Sequence, residues 1–169
     1  ALHRLPQPTI AKVRGVAVGA GANMAFGCDL VVASESARFS EIFARRGLAI
    51  DFGGSWVLPR LVGMHRAKEL AFFADMFSAA QAEEMGLVNR VLPDSEVDAF
   101  VADWAARLAA GPPIALAMTK RMLDNSMNVT FEQAVDDETA AQTLVSGTED
   151  LAEAMMAFLE KRTPHFRGC

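Results

Sequence analysis

Two glycine-bearing stretches hold the residue types best suited to chemistry: Gly19-Ala20-Gly21-Ala22-Asn23, and Ala49-Ile50-Asp51-Phe52-Gly53-Gly54. In the first, glycines let the backbone turn sharply and come close to a ligand, and the start of a following helix offers unpaired N–H groups that suit an oxyanion. The same glycines also suit tight packing of a strand on a helix. A dinucleotide fingerprint would have its third glycine where Met24 stands, and a phosphate loop would end in Gly-Lys-Ser/Thr, whereas no lysine lies between Arg14 and Asp29. Asn23 can orient a water or a substrate through its amide but cannot take a proton at neutral pH, and Asn is also a common helix cap.

Asp51 sits between bulky apolar neighbours on a glycine loop. If those neighbours line a pocket, desolvation raises the carboxyl toward neutrality and makes it a usable general base and acid. The competing role is capping of a helix that begins near Gly54. Phe43, Trp56, Phe72 and Phe73 either shape an apolar pocket or fill core, with core the expected place for all but Phe43. His3, His65 and His165 stand apart from one another and from Cys28 and Cys169, so neither a metal site nor a disulfide framework is expected, and the histidines read as surface or interface residues.

These loops need a scaffold. Residues 9–18 alternate in the period-2 manner of two short strands hinged at Gly15; 22–28 read as a short buried helix and 29–34 as a valine-rich strand, which together make an α/β signature. The pattern turns helical from Ser40, breaks at Ile50-Asp51-Phe52-Gly53-Gly54, and resumes over 63–75. Ser78 with Gln81 forms a capping box for a helix stopped at Gly86, and 87–92 reads as a strand. Ser95 and Asp98 start a helix whose Val97, Phe100, Val101, Trp104 and Leu108 predict one buried stripe. Gly111-Pro112-Pro113 is the expected domain boundary. Beyond it, helices are predicted over 114–127, from a capping box at Thr130 and Gln133, and over 149–162 with Leu151, Met155, Phe158 and Leu159 on one face.

The bulk properties restrict the partners. With 169 residues, 51% hydrophobic and 22% charged, the chain is long enough for a sizeable core. Its net charge of -5 lacks the positive field that draws nucleic acid. The longest uncharged run, between Arg14 and Asp29, is shorter than the roughly 20 apolar residues that cross a bilayer, so no membrane association is expected. The cysteine usage suits a reducing cytoplasm. The opening Ala-Leu-His-Arg-Leu-Pro-Gln-Pro, without an initiator Met or signal sequence, reads as a start in mid-protein.

Three segments together, GVAVGAGANMAFGCDLVVASESARF, RRGLAIDFGGSWVLPRLVG and SAAQAEEMGLVNRV, resemble the crotonase family of enoyl-CoA hydratases and isomerases in order and spacing, and the likeness extends from Pro8 to the closing FLEKRTPHF. The resemblance implies a spiral of ββα turns, with residues 1–111 as the C-terminal part of that spiral core and 112–169 as a helical region that forms homotrimers, often paired into hexamers. It implies an acyl-CoA thioester as substrate, with coenzyme A part of that substrate and no separate cofactor. It places the N–H of Ala20 on the thioester oxygen, with a second donor from an earlier loop that this chain does not contain. Gly19, Gly21, Phe43, Gly53 and Gly54 would border the substrate, and Lys161 and Arg162 would reach CoA phosphates of a neighbouring subunit, although both also suit a helix-end dipole.

Family hydratases use two glutamates to activate water, and their positions here are Asn23 and Phe43. Neither can take a proton. Asp51 matches the lone aspartate of the family's isomerases, and the GAGAN turn with an Asp-x-Gly-Gly loop is similar to the ring-1,2-epoxyphenylacetyl-CoA isomerases of phenylacetate breakdown. The expected activity is therefore isomerisation through a thioester enolate with Asp51 as acid and base. The alternatives are an enoyl-CoA hydratase with atypical water activation, and a non-catalytic acyl-CoA-binding subunit.

Overall fold

A computed structural model describes residues 2–169. They divide into two compact units: the segment ending at Arg4 with Thr9–Trp104, and Leu5–Pro8 with Ala105–Cys169.

The first unit is built on two three-stranded sheets. Strands β1 (Ile10–Val13) and β2 (Val16–Val18) are hinged at Gly15, whose φ of 66° lies in the left-handed region that glycine adopts without penalty. Helix α1 (Ala20–Phe26) and β3 (Leu30–Ser34) follow, as the apolar pattern predicts. Strand β3 is central to the first sheet, pairing in parallel with β1 (Ile10 opposite Leu30) and with β6 (Arg90–Leu92; Val32 opposite Arg90). In the second sheet β4 (Arg38–Ser40) pairs in parallel with β2 and antiparallel with β5 (Phe77–Ser78). Strand residues Val31, Val32 and Ala33 are all buried, as expected of a parallel strand covered on both faces.

Helices α2 (Gly54–Val62), α3 (Met64–Phe73), α4 (Ala79–Glu84) and α5 (Val97–Ala109) complete this part of the chain, with α5 running across the boundary between the units. The core is centred on Phe26, Phe39 and Phe77, whose rings lie 5.3 and 5.8 Å apart in sequence, together with Leu58, Leu87 and Val88. Fully burying one such side chain stabilises the fold by about 1.5–3 kcal/mol. The predicted capping box opens α4: Ser78 accepts from the Gln81 N–H, and the Gln81 side chain accepts from the Ser78 N–H at 2.8 Å.

Three expectations need correction. The segment from Ser40 is not a regular helix: Arg38–Ser40 is a strand, and after Glu41 the chain enters a turn that leads into a single 3-10 turn at Ala44–Arg46. The predicted stripe on α5 is fully buried only at Val97, while Phe100, Val101, Trp104 and Leu108 are half-buried. Trp56, Phe72 and Phe73 are not core: Phe72 and Phe73 are 69% and 67% exposed. Helix α3 turns Ala67 and Leu70 toward the core, with Ala74 buried just beyond its end, a spacing of three and four that leaves Phe72 and Phe73 off the buried face. Trp56 instead carries the Arg60 guanidinium 4.0 Å above its ring and the edge of His3 at 5.3 Å.

The second unit is helical: α6 (Pro113–Asn125), α7 (Phe131–Ser146) and α8 (Glu149–Glu160). The capping box predicted at Thr130 and Gln133 is formed. The last residues fold back on the start of α8, where the Asp150 carboxylate accepts the N–H groups of Arg167 and Gly168 at 2.7 and 2.9 Å. Arg162 is held by Glu153 and Glu160. No helix among the described residues is long and apolar enough to cross a membrane.

Candidate active site

Both glycine stretches belong to the first unit, and Asn23 joins them. The first turn is set by Gly19, which caps α1 at φ 55° and donates its N–H to the Ser40 carbonyl at 2.8 Å. A Cβ on Gly19 would stand 3.4 Å from both Ile42 and the Phe43 ring, so Phe43, the one aromatic of its group for which core was not the expected place, is buried and closes against this turn. Gly21 differs: a Cβ there would meet nothing within 4 Å. Close packing therefore explains a small residue at Gly19 but not at Gly21, where open space remains beside the helix start. Ala20, the first residue of α1, is half-buried between them, and its N–H belongs to the helix's first turn, where amides have no carbonyl partner within the helix.

The second stretch forms a tight loop. Phe52 and Gly53 are both left-handed, at φ 53° and 83°, and the Gly54 N–H returns to the Asp51 carbonyl at 2.9 Å. Gly53 is the N-cap of α2 and no side chain bonds its first amides, so Asp51 does not cap that helix. Gly54 touches the first stretch directly: a Cβ on it would lie 2.3 Å from Asn23 Nδ2 and 2.5 Å from Oδ1. Only glycine fits there.

Asn23 is 1% exposed. It does not cap α1; its Nδ2 donates to the Asp51 carbonyl at 3.0 Å and to Glu41 Oε2 at 3.2 Å. Two acceptors on one side fix which end of the amide is nitrogen. Asn23 Oδ1 and Glu41 Oε1 are buried and without a hydrogen-bond partner.

Glu41 is the site residue that sequence reasoning missed. It is 1% exposed, and burial pushes its carboxyl from the ordinary 4.5 up to about 7; the Asn23 hydrogen bond opposes this and the negative charge of Asp51 adds to it. No periodicity in the sequence singles it out: Phe39, Ser40, Glu41 and Phe43 are all buried where the chain leaves β4. Asp51, expected to be desolvated by its neighbours, is exposed. The left-handed turn at Phe52 leaves that ring 62% exposed, so it does not cover the carboxylate. Of the remaining expected residues, Gly53 is exposed beside open space. Lys161 lies in the second unit as the left-handed C-cap of α8, exposed, at φ 55°.

The chain as a whole, and the scaffold that carries these loops, are similar to known proteins. Residues 1–169 match the enoyl-CoA hydratase/isomerase family. The chain is 40% identical over 168 residues to a probable enoyl-CoA hydratase of Rhodobacter capsulatus, covering 99% of this chain and 65% of that protein. It is 39% identical over 167 residues to the 1,2-epoxyphenylacetyl-CoA isomerase of Escherichia coli, covering 99% of this chain and 64% of that protein. The crystal structure of an enoyl-CoA hydratase from Bacillus anthracis superposes with a TM-score of 0.95 at 35% identity, covering 99% of this chain and 65% of that one. The chain thus spans a little under two thirds of these relatives' length. Sequence and fold agree, and the chain belongs to the enoyl-CoA hydratase/isomerase, or crotonase, family.

Proposed function

We propose that the protein isomerises acyl-CoA thioesters, with Asp51 moving the proton. The Ala20 N–H polarises the thioester carbonyl. The Asp51 carboxylate removes a proton from the carbon chain, the electron pair of the broken C–H bond spreads into the carbonyl as a dienolate, and the same carboxyl returns the proton at another carbon. No atom is gained or lost. Coenzyme A enters and leaves as part of the substrate, and no further cofactor is required. A backbone donor aimed at the developing oxyanion lowers such a barrier by about 3–4 kcal/mol, and a positioned acid–base contributes about 10²–10⁴-fold.

The observation that carries this reading is the Asn23 bridge. It sets the Asp51 loop beside the turn that begins α1, and of the two carboxyl groups there only Asp51 is accessible, Glu41 being sealed. The open space at Gly21 suits close approach of a ligand to the backbone. The likeness to an epoxyphenylacetyl-CoA isomerase supports a proton-shuttling or ring-isomerising substrate class, and Gly19, Phe43, Gly53 and Gly54 would border it. The helical region from residue 112 would assemble trimers or hexamers, bringing Lys161 to the CoA phosphates of a neighbouring subunit.

Hydration is the second reading, favoured by the hydratases among the relatives. Offering the protein a 2-enoyl-CoA and, separately, a 3-enoyl-CoA separates the two. Isomerisation predicts turnover of the 3-enoyl-CoA that Asp51→Asn removes. Hydration lost in Asn23→Ala, with Asp51→Asn silent, rejects the proposal. Binding of CoA without turnover of either substrate would instead mark a non-catalytic subunit.

A further inference from the structure

The Asn23–Glu41 pair lies behind the loop that carries Asp51, and its hydrogen bonding is incomplete if both side chains are taken in their ordinary states. Asn23 uses its amide nitrogen on two acceptors, while its own oxygen and Glu41 Oε1 are buried without a partner. Two acceptor oxygens and no donor is a costly arrangement in a dry interior. A proton on Glu41 turns one of those acceptors into a donor and removes a buried charge. Neither the charge that acts on this carboxyl nor its polar neighbours along the chain offset a charge. Asp51, from the loop before α2, is itself negative; Ser40, beside Glu41, gives its hydroxyl to the Ala74 carbonyl at 2.9 Å; Arg45, on the following turn, is engaged by Asp75 and the Phe73 carbonyl.

We propose that Glu41 is a positioning residue for Asp51: in its neutral form it anchors the Asn23 amide that holds the Asp51 carbonyl, and its ionisation favours opening of the Asp51–Gly54 loop. This rests on the reading of Asp51 as the acid–base. Opening relieves both the burial of the new charge and its repulsion by Asp51. The loop has little else to resist it, since Asp51, Phe52 and Gly53 are exposed and no side chain caps α2. Gly54 reports the state of the loop, because its N–H bonds the Asp51 carbonyl and its Cα lies against the Asn23 amide. Burial lifts the Glu41 carboxyl to about 7, so the change falls near neutral pH.

The test has two arms. Infrared difference spectra between wild type and Glu41→Gln report the protonated carboxyl directly, without turnover. The expected result is a carboxylic acid C=O band that disappears as pH rises through about 7, with amide exchange at Gly54 accelerating over the same range beyond its ordinary base catalysis, in wild type only. In the second arm, kcat for a 3-enoyl-CoA falls severalfold across that range in wild type, and the fall is absent in Glu41→Gln, which stays neutral and still offers an oxygen to Asn23. Glu41→Met, neutral but unable to bond Asn23, also loses the pH dependence and has a lower kcat at an unchanged KM. Loss of the C=O band only at ordinary carboxylate pH, or the same pH-dependent fall in both variants, overturns the proposal. If wild type turns over no acyl-CoA, the functional reading fails by itself, and the infrared and exchange results still decide the role of Glu41.

Discussion

Asn23 does no acid–base chemistry, yet it is the residue on which the site depends. From α1 its amide reaches the Glu41 carboxyl and the Asp51 loop, and Gly54 is small because Asn23 lies against it. Gly54→Ala puts a methyl 2.3 Å from Asn23 Nδ2, so either the amide or the loop must move; a loss of about 1–3 kcal/mol in urea unfolding is expected, together with lost activity. Glu41 carries a pH signature with a definite sign. Its folded carboxyl titrates at about 7, above the ordinary 4.5, so the folded state binds the proton more tightly. That contribution is fully present below about 4.5 and is lost as pH rises to about 7. At about 1.4 kcal/mol per pH unit the loss amounts to about 3 kcal/mol, and in paired urea titrations the stability of Glu41→Gln relative to wild type should rise by that order between these limits. At this scale the sequence was partly legible. Asp51 and the glycine turn declare themselves by type and spacing. Glu41 does not, because its importance comes from a burial that arises only in the folded chain, one residue beyond the end of β4.

Among the elements, those legible in the sequence were marked by local chemistry. The hinge at Gly15 and the capping boxes at Ser78 and Thr130 are each set by residues a few positions apart, and β3 declares itself by its run of apolar residues although it pairs with the distant β1 and β6. Ser78→Ala removes the bond to the Gln81 N–H and should cost about 1 kcal/mol, read as a lower thermal midpoint with retained helicity. Strands β4 and β5 were missed because three and two residues carry no periodicity; they exist through Arg38 pairing opposite Val16 and Ser78. The aromatics went wrong for a related reason. Apolar type predicts burial, but Phe72 and Phe73 are adjacent on α3 and lie outside the turn-by-turn spacing that Ala67 and Leu70 set. Phe39, by contrast, is fully buried between Phe26 and Phe77, and Phe39→Ala should cost about 3–5 kcal/mol.

For the molecule as a whole, the exposed face of α8 is the feature its own chain does not explain. Met155, Phe158 and Leu159 are 57%, 80% and 71% exposed, a density of apolar surface that favours association. On the proposed assembly, Phe158→Glu should lower the mass seen by analytical ultracentrifugation while leaving circular dichroism intact; an unchanged mass would place the interface elsewhere. The central claim is that Asp51 takes a proton from a thioester's carbon chain and returns it. Exchange of substrate hydrogen with solvent deuterium, followed by mass spectrometry of the acyl-CoA, measures that event whatever the final product. Wild type should incorporate deuterium into the acyl chain, and Asp51→Asn should lower the rate by about 10²–10⁴-fold. Deuterium entering at the wild-type rate in Asp51→Asn would contradict the account.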